Sequence, residues 1–266
     1  RESPLSLGYH ESMQFVTSQP GSTPLVLDSP HSGTHYPADF GHACDLQLLR
    51  RAADTHVEKL YSFAPALGAA WIEAHFPRSY LDANRNTTEI DAEMLDAVWP
   101  HEVASDPRVL AKVRLGKGLI WRMTDEGAPL YVRRLSVKEV AQRIANWWQP
   151  YHAAVAHAID TARARHGYSI HINCHSMPAV AGRYGTDFPG EAHADFVVGN
   201  RDHTTSSETL ALQIAERLTT MGYRVSVNHP YKGVEIVRRY GRPQLHCHSV
   251  QLEINRRLYM DEQTLE

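Results

Sequence analysis

Residues 168–175 read Tyr168-Ser169-Ile170-His171-Ile172-Asn173-Cys174-His175. The segment alternates or runs apolar as a strand does, and it delivers His175 at its end. Just upstream, residues 151–165 form a helical run that Gly167 stops. Before that comes the clearest helix of the chain, starting at Ser136. There Ser136-Val137-Lys138-Glu139 has the form of a capping box, with Glu139 at the third helical position and Val140, Ile144, Trp147 and Trp148 following. Pro150 is expected to kink or end it. A helix feeding a buried strand recurs on both sides. Residues 23–27 are a short apolar strand halted by Asp28-Ser29-Pro30. Asp45 can cap a helix that places Leu48, Leu49, Ala52, Val57 and Leu60 on one face. Residues 69–76 are a second strand leading into Arg78. Ser206 or Ser207 caps a helix through Leu210, Ile214 and Leu218 to Gly222, and residues 223–227 and 249–255 are the last strands. This alternation defines an α/β class with a largely parallel or mixed sheet. No linker, repeat or low-complexity tract interrupts it, so residues 1–266 read as a single domain. In such sheets ligands bind beyond the carboxyl ends of strands. Three chemically loaded segments fall there, at residues 28–33, 78–85 and 173–178.

Composition narrows the function classes. With 27 Lys and Arg against 30 Asp and Glu, the net charge of −3 leaves no basic excess for nucleic acid. Apolar content of 42% and charged content of 21% are those of a globular chain rather than a disordered one. No apolar run approaches 18 residues, so no membrane span is expected. Residues 1–10 lack the regions of a secretory signal, and a start at Arg1 suggests a trimmed terminus. Three cysteines, Cys44, Cys174 and Cys247, form no Cys-x-x-Cys pair, which favours a reducing, cytoplasmic setting. The 17 histidines point toward metal or proton-transfer chemistry.

Two histidines sit where a ligand should. His31 follows a strand, with Pro30 stiffening the approach and Gly33 allowing a tight turn. His175 has the same setting at another strand end. Two His and one carboxylate form a common catalytic zinc set. Asp54, in Ala53-Asp54-Thr55-His56, is the candidate carboxylate, and Asp28 and Glu58 compete for the role. Each also has a plainer reading, as a turn histidine bonded to a loop carbonyl or a solvated helix charge. Cys174 adjoins His175, but neighbours on a strand point to opposite faces, so Cys174 reads as core. Arg78 and Asp82-Ala83-Asn84-Arg85 suit an acidic small molecule, or equally an ion-pair network among Arg78, Asp82 and Arg85. Glu253 lies inside the apolar pattern Val250-Gln251-Leu252-Glu253-Ile254-Asn255. It is there either paired, with Arg256 or Arg257, or as a functional carboxylate with a perturbed pKa. Arg238 and Arg239 make a further basic element. His246 and His248 precede the Glu253 strand and are candidates to line the pocket, and the other 13 histidines read as surface or packing residues. The motifs HExxH, GxSxG, GxGxxG and the P-loop are absent, which disfavours the enzyme classes they mark.

Taken together, Ser29-Pro30-His31-Ser32-Gly33, Asp54, residues 78–85, His175-Ser176-Met177-Pro178, Gly199-Asn200-Arg201-Asp202 and Gln251-Leu252-Glu253-Ile254-Asn255 resemble the N-formylglutamate amidohydrolase family, over about residues 25–261. That family is similar in fold to zinc carboxypeptidases and aspartoacylases. The resemblance therefore implies one amidohydrolase domain, a three-layer α/β/α arrangement around a central mixed sheet. It implies one zinc or other divalent ion on His31, Asp54 and His175, with Glu253 as the base for water and Arg78 beside the oxyanion. Asn84 and Arg85 would receive one substrate carboxylate, and Arg238 or Arg239 the other. The implied reaction is hydrolysis of N-formyl-L-glutamate to formate and L-glutamate, in histidine degradation. Two features differ from the pattern. Thr34 stands where a His-x-x-Glu motif would place its Glu, so the carboxylate ligand comes from elsewhere, and Asn173 stands where many relatives carry Asp. The alternatives are an amidohydrolase or carboxypeptidase for another N-acyl acidic amino acid, or a non-catalytic metal or dicarboxylate binding protein, against which Glu253 speaks. The sequence does not define the oligomeric state.

Overall fold

The segment around His175 occupies the middle of the sheet. The protein is described by a computed structural model for residues 15–182 and 188–266; the readings made for residues 1–10, His10 included, lie outside these. Seven strands, β1 (Val16–Gln19), β2 (Leu25–Ser29), β3 (Ala70–Ala74), β4 (Ser169–Met177), β5 (Phe196–Gly199), β6 (Val225–Val227) and β7 (Cys247–Asn255), form one mixed sheet in the order β1-β3-β2-β4-β7-β5-β6. β3, β2, β4 and β7 are mutually parallel, whereas β1 on β3 and β5 on β7 are antiparallel. The four central strands therefore end at one edge. In register, His175 of β4 stands beside Glu253 of β7.

Alternate strand positions face opposite ways, and both faces are covered. On one, Val26, Ile72 and Ala74 join the main core with Trp147, Tyr151, Val155 and Ile159. On the other, Leu27, Trp71 and Cys174 pack on Val57, Tyr61 and Ala64, and farther along Val198 and Val250 pack on Ala211. Each Val, Leu or Ile among them contributes about 1.5–3 kcal/mol when withdrawn from water. The helices are α1 (Leu46–Arg51), α2 (Val57–Leu60), α3 (Pro107–Arg114), α4 (Val137–Arg143), α5 (Gln149–His166), α6 (Glu208–Thr220) and α7 (Glu235–Tyr240). The result is the expected three-layer α/β/α arrangement on a mixed sheet. Cys174 is buried, as its strand position requires.

Four differences from the sequence reading matter. First, the helix expected from Asp45 to Leu60 breaks into α1 and α2, with His56 left-handed at φ 66°. At the break the Asp54 N–H donates to the His31 carbonyl at 3.0 Å, which swings Asp54 out of the helix toward the sheet edge. Second, Pro150 ends nothing. A wide π turn over Ile144–Trp148 joins α4 to α5, and Pro150 sits in the first turn of α5, where its missing N–H is harmless. Ser136 does cap α4 by accepting from the Glu139 N–H at 3.0 Å, but the Glu139 carboxylate binds Arg133 and Arg143 rather than closing the box. Third, β4 continues to Met177, so His175 is within the strand rather than past its end. Fourth, β1, β5, α3 and α7 had no expectation; the two strands have four residues each, too short for a periodicity signal.

Candidate active site

His31, Asp54 and His175 converge at the shared strand edge, with one donor atom from each lying within 4.8 Å of the others, all buried. Gly33 permits this on the His31 side, because a Cβ there would lie 2.3 Å from the His75 carbonyl carbon. His31 Nε2 lies 2.6 Å from Asp82 Oδ1, and Asp82 is ionised, so Nε2 carries the proton and donates. Nδ1 is buried, 3.6 Å from Asp54 Oδ2, and has no hydrogen-bond partner among the described residues. His175 repeats the logic with an amide. Its Nε2 lies 2.7 Å from Asn173 Oδ1, and the Asn173 amide group is turned the right way because Nδ2 donates to both oxygens of Asp28 at 2.9 and 3.1 Å. His175 Nδ1 stands at hydrogen-bond distance from Asp54 Oδ2, at 2.9 Å. Two imidazole nitrogens and a carboxylate oxygen thus face one point, where a cation would take the place of the proton between them. An N,N,O donor set of this kind fits a divalent metal ion.

The electrostatics agree. Burial alone would raise the Asp54 carboxyl, but His175, hydrogen-bonded to it, and then His31 hold it well below the usual carboxylate range. Arg256 Nη2 donates to its other oxygen at 3.2 Å, and Arg78 Nη1 lies 3.7 Å away. Asp82 is likewise buried yet lowered, by His31 and then Arg78. Glu253 behaves in the opposite way. Burial, with help from the Asp54 charge, pushes it up to about 7 against the pull of His175. Neither Arg256 nor Arg257 pairs with it, contrary to one of the two expectations for this residue. Arg256 reaches Asp54, and Arg257 reaches Asp195. The Glu253 partner is Gln251, whose Nε2 donates to Oε1 at 2.8 Å.

The basic residues divide into three groups. Arg78 donates to Asp82 at 3.2 Å and lies over the Trp121 ring at 4.9 Å, so the ion-pair reading of this segment is partly realised. Arg85 is only 12% exposed, and its carboxylate contacts are loose, at 3.9 Å to Asp82 and 3.7 Å to Glu89; its Nε has no hydrogen-bond partner. Asn84 is engaged on every side, with Nδ2 against His175 and Gln251 and Oδ1 accepting from the Ile236 N–H. Arg238 and Arg239 both close on buried Glu235, Arg238 at 2.9 and 2.6 Å and Arg239 at 2.9 Å. Asp28 and Glu58 are not at the three-donor point: Asp28 lies beneath Asn173, and Glu58 borders a separate cleft with Glu73, His35 and His75. His248 pairs in register with Ile170, five residues before Glu253, so His246 and His248 stand at the far end of the sheet, roughly 16 Å away at strand rise.

A model of the N-formylglutamate amidohydrolase family matches residues 23–260. The chain belongs to the N-formylglutamate amidohydrolase family. It is 31% identical to an N-formylglutamate deformylase of Pseudomonas aeruginosa, covering 94% of this chain and 87% of that one. With an N-formylglutamate deformylase of Pseudomonas putida it shares 30%, over 91% and 84%. The crystal structure of an N-formylglutamate amidohydrolase from Ralstonia eutropha superposes with a TM-score of 0.87 at 42% identity, over 94% of this chain and 89% of that one. A gene product of Agrobacterium tumefaciens shares the fold at a TM-score of 0.62 and 17% identity, over 95% and 89%.

In this family member several residues that support the site gave no usable sequence signal. Asp82 was visible only as an ion-pair candidate, not as the partner of His31. His171, read as packing, bonds Asp28 through Nε2 and Ser249 through Nδ1, each at 2.7 Å. Ser249, His171 and Asp28 have the connectivity of a hydrolase triad, but all three are 0% exposed and so serve as scaffold. The end of α4, the π turn and α5 brace the 80–85 loop by its carbonyls: Arg143 donates to Tyr80 O at 3.1 Å, Trp148 to Arg85 O at 2.9 Å, and His152 to Ala83 O at 2.8 Å. A contact between residues more than 60 positions apart leaves no local pattern to read.

Proposed function

We propose that this chain is a metal-dependent amidohydrolase that cleaves the formamide C–N bond of N-formyl-L-glutamate to formate and L-glutamate. The observation that carries the reading is the meeting, at one sheet edge, of the His31, Asp54 and His175 donors with a buried carboxylate, Glu253, whose partner is the neutral amide of Gln251. His31, Asp54 and His175 would hold one zinc ion, which when bound supplies Lewis acidity toward a carbonyl and acidifies water. Glu253, poised near 7, takes the proton of the attacking water and returns it to the leaving amine as the C–N bond breaks. The Arg78 guanidinium, held by Asp82 and Trp121, faces the oxyanion that develops on the formyl oxygen. Arg85 presents a nearly unbonded fork to a substrate carboxylate, and Asn84 fixes the loop that carries it. The names of the Pseudomonas deformylases support formylglutamate as substrate. The proposed setting is a cytoplasmic role in histidine breakdown; the three free cysteines fit a reducing compartment.

The test is formate release from N-formyl-L-glutamate by purified protein, run beside N-acetyl and peptidyl glutamate, with elemental analysis of the same preparation. The expected result is formate release from the formyl compound, about one divalent ion per chain, loss of activity on chelation and recovery on adding zinc. Active protein free of metal would end the metal reading, and a preference for an acetyl or peptidyl group would end the substrate reading.

A further inference from the structure

A dicarboxylate substrate needs two cationic receptors, and Arg85 accounts for one. Arg238 and Arg239 are poor candidates for the other, because Glu235 already occupies both forks and also accepts from Asn86 at 3.0 Å. Arg201 differs. Among the described residues no carboxylate lies within ion-pair distance of it, and its one side-chain bond is from Nη1 to the Gly233 carbonyl at 3.0 Å. That bond anchors the guanidinium at the turn leading into α7. The next N–H of this turn, Val234, donates to Gln251 Oε1 at 3.3 Å, and Gln251 in turn holds Glu253. Gly199 pairs with Gln251 in the β5–β7 ladder, and its bare Cα side is pressed against Lys232 and Gly233, so Arg201 is tied to the site from both strands.

The backbone here is costly. Arg201, Asp202 and His203 are three consecutive non-glycine residues in the left-handed region, at φ 51°, 54° and 68°. The strain is held by a buried amide pair. Asn200 N–H donates to Asn228 Oδ1 at 2.9 Å, Asn228 Nδ2 returns a bond to Asn200 Oδ1 at 2.8 Å, and the same Asn200 oxygen accepts from the His203 N–H at 3.0 Å. Strain that its surroundings over-determine in this way clusters at ligand clamps.

Resting on the reading of formylglutamate as substrate, we infer that Arg201 is the receptor for the substrate's side-chain carboxylate and so sets the preference for glutamate. Reach assigns the two carboxylates. The α-carboxylate is attached to the carbon beside the scissile nitrogen and falls to Arg85, on the loop that touches His175 and Asp82. The side-chain carboxylate lies two methylenes farther out and falls to Arg201, beyond the Gln251 that supports the base. Burial and then the charge of Arg238 disfavour the protonated form of Arg201, and a substrate carboxylate would offset both.

The experiment compares kcat/KM for N-formylglutamate and N-formylglutamine, which differ only in that one carboxylate, in wild type, Arg201→Gln, Arg201→Lys and Arg238→Gln. Arg201→Gln is expected to lower the glutamate-to-glutamine ratio about tenfold to a hundredfold, through KM more than kcat, with Arg201→Lys between it and wild type and Arg238→Gln shifting the ratio far less. A ratio unchanged in Arg201→Gln, an equal fall for both substrates, or a collapse confined to Arg238→Gln would overturn the assignment. Calorimetric binding of glutamate and glutamine to the same zinc-loaded variants separates the two readings. If wild type releases no formate, the substrate reading fails, and Arg201 then stands or falls on whether its loss removes the preference for glutamate in binding.

Discussion

The two halves of the site are built differently. One half is strand: His175 and Glu253 stand side by side on β4 and β7, and their immediate supports are the neutral amides Asn173 and Gln251. The other half is loop: His31, Asp54, Arg78, Asp82 and Arg85 follow β2 and β3 and are held by charge. The amide-supported half leaves Glu253 with a raised pKa, because among the described residues no cation in ion-pair contact offsets its burial. The charge-supported half keeps Asp54 and Asp82 ionised in an equally dry place. A neutral setting on one side and an ionic one on the other drive two buried carboxylates in opposite directions, so one can exchange a proton while the other remains a permanent anion.

The contrast is most directly broken at Glu253. Glu253→Gln should lower kcat about a hundredfold to ten-thousandfold while elemental analysis finds the metal content unaltered; retention of most of the turnover would remove the strand half from the chemistry. In the loop half, Arg85→Ala should raise KM for formylglutamate by the loss of one charge-assisted pair, about 1.5–3 kcal/mol, with kcat less affected. Asp82→Asn removes the ionised partner of His31 and should weaken zinc binding about 10- to 100-fold, measured by chelator competition. Asp28→Asn acts one step farther back, loosening the Asn173 amide that fixes the His175 tautomer, and its effect on zinc affinity should sit near the lower end of that range. Equal effects at Asp82 and Asp28 would mean that direct and relayed support are equivalent, and the contrast would fail.

The smallest effect concerns the brace beneath the loop half. Burial lowers His152 to about 4, well below its unfolded value, so the native state binds fewer protons than the unfolded chain between those limits. Its contribution to stability is therefore complete above about 6.5 and is lost as the pH falls toward 4. Glu253, raised to about 7, gives the opposite slope in an overlapping range, since it takes up a proton on folding. The difference between proteins isolates the histidine. Denaturation of wild type should lose about 1 kcal/mol more than His152→Gln between pH 6 and pH 5; parallel curves would show that His152 is not buried as a neutral ring.

Much of the strand half was legible because strands advertise themselves. An alternating run ending near a histidine, and a glutamate inside an apolar run, are both anomalies against a period of two. The loop half was legible only as a list of residues. Asp54 was one of three candidate carboxylates, and nothing local distinguished it. It became the one that meets both imidazoles because α1 ends early and a single backbone bond to His31 turns the chain. Arg256 was visible as a cation and was one of two partners offered for Glu253, but the sequence cannot say that it crosses to Asp54 at a separation of 202 residues. His171 and His152 were missed as supports because a buried imidazole and an exposed one look alike in a string of letters.

The sequence by itself determined the class of fold, the parallel strands whose ends carry His31 and His175, the reading of Cys174 as core and the family resemblance, because periodicity, capping and turn residues act within a few positions of one another. Only the tertiary structure decided which carboxylate joins the two histidines, which groups face their ring nitrogens, that Glu253 has an amide rather than an arginine for a partner, and that Glu235 occupies Arg238 and Arg239, whereas Arg201 has no carboxylate within ion-pair distance among the described residues. Those outcomes depend on charges and lone pairs brought together across the chain in a dry interior. Their energies are set by distance and burial, and neither is a property of any short stretch of sequence.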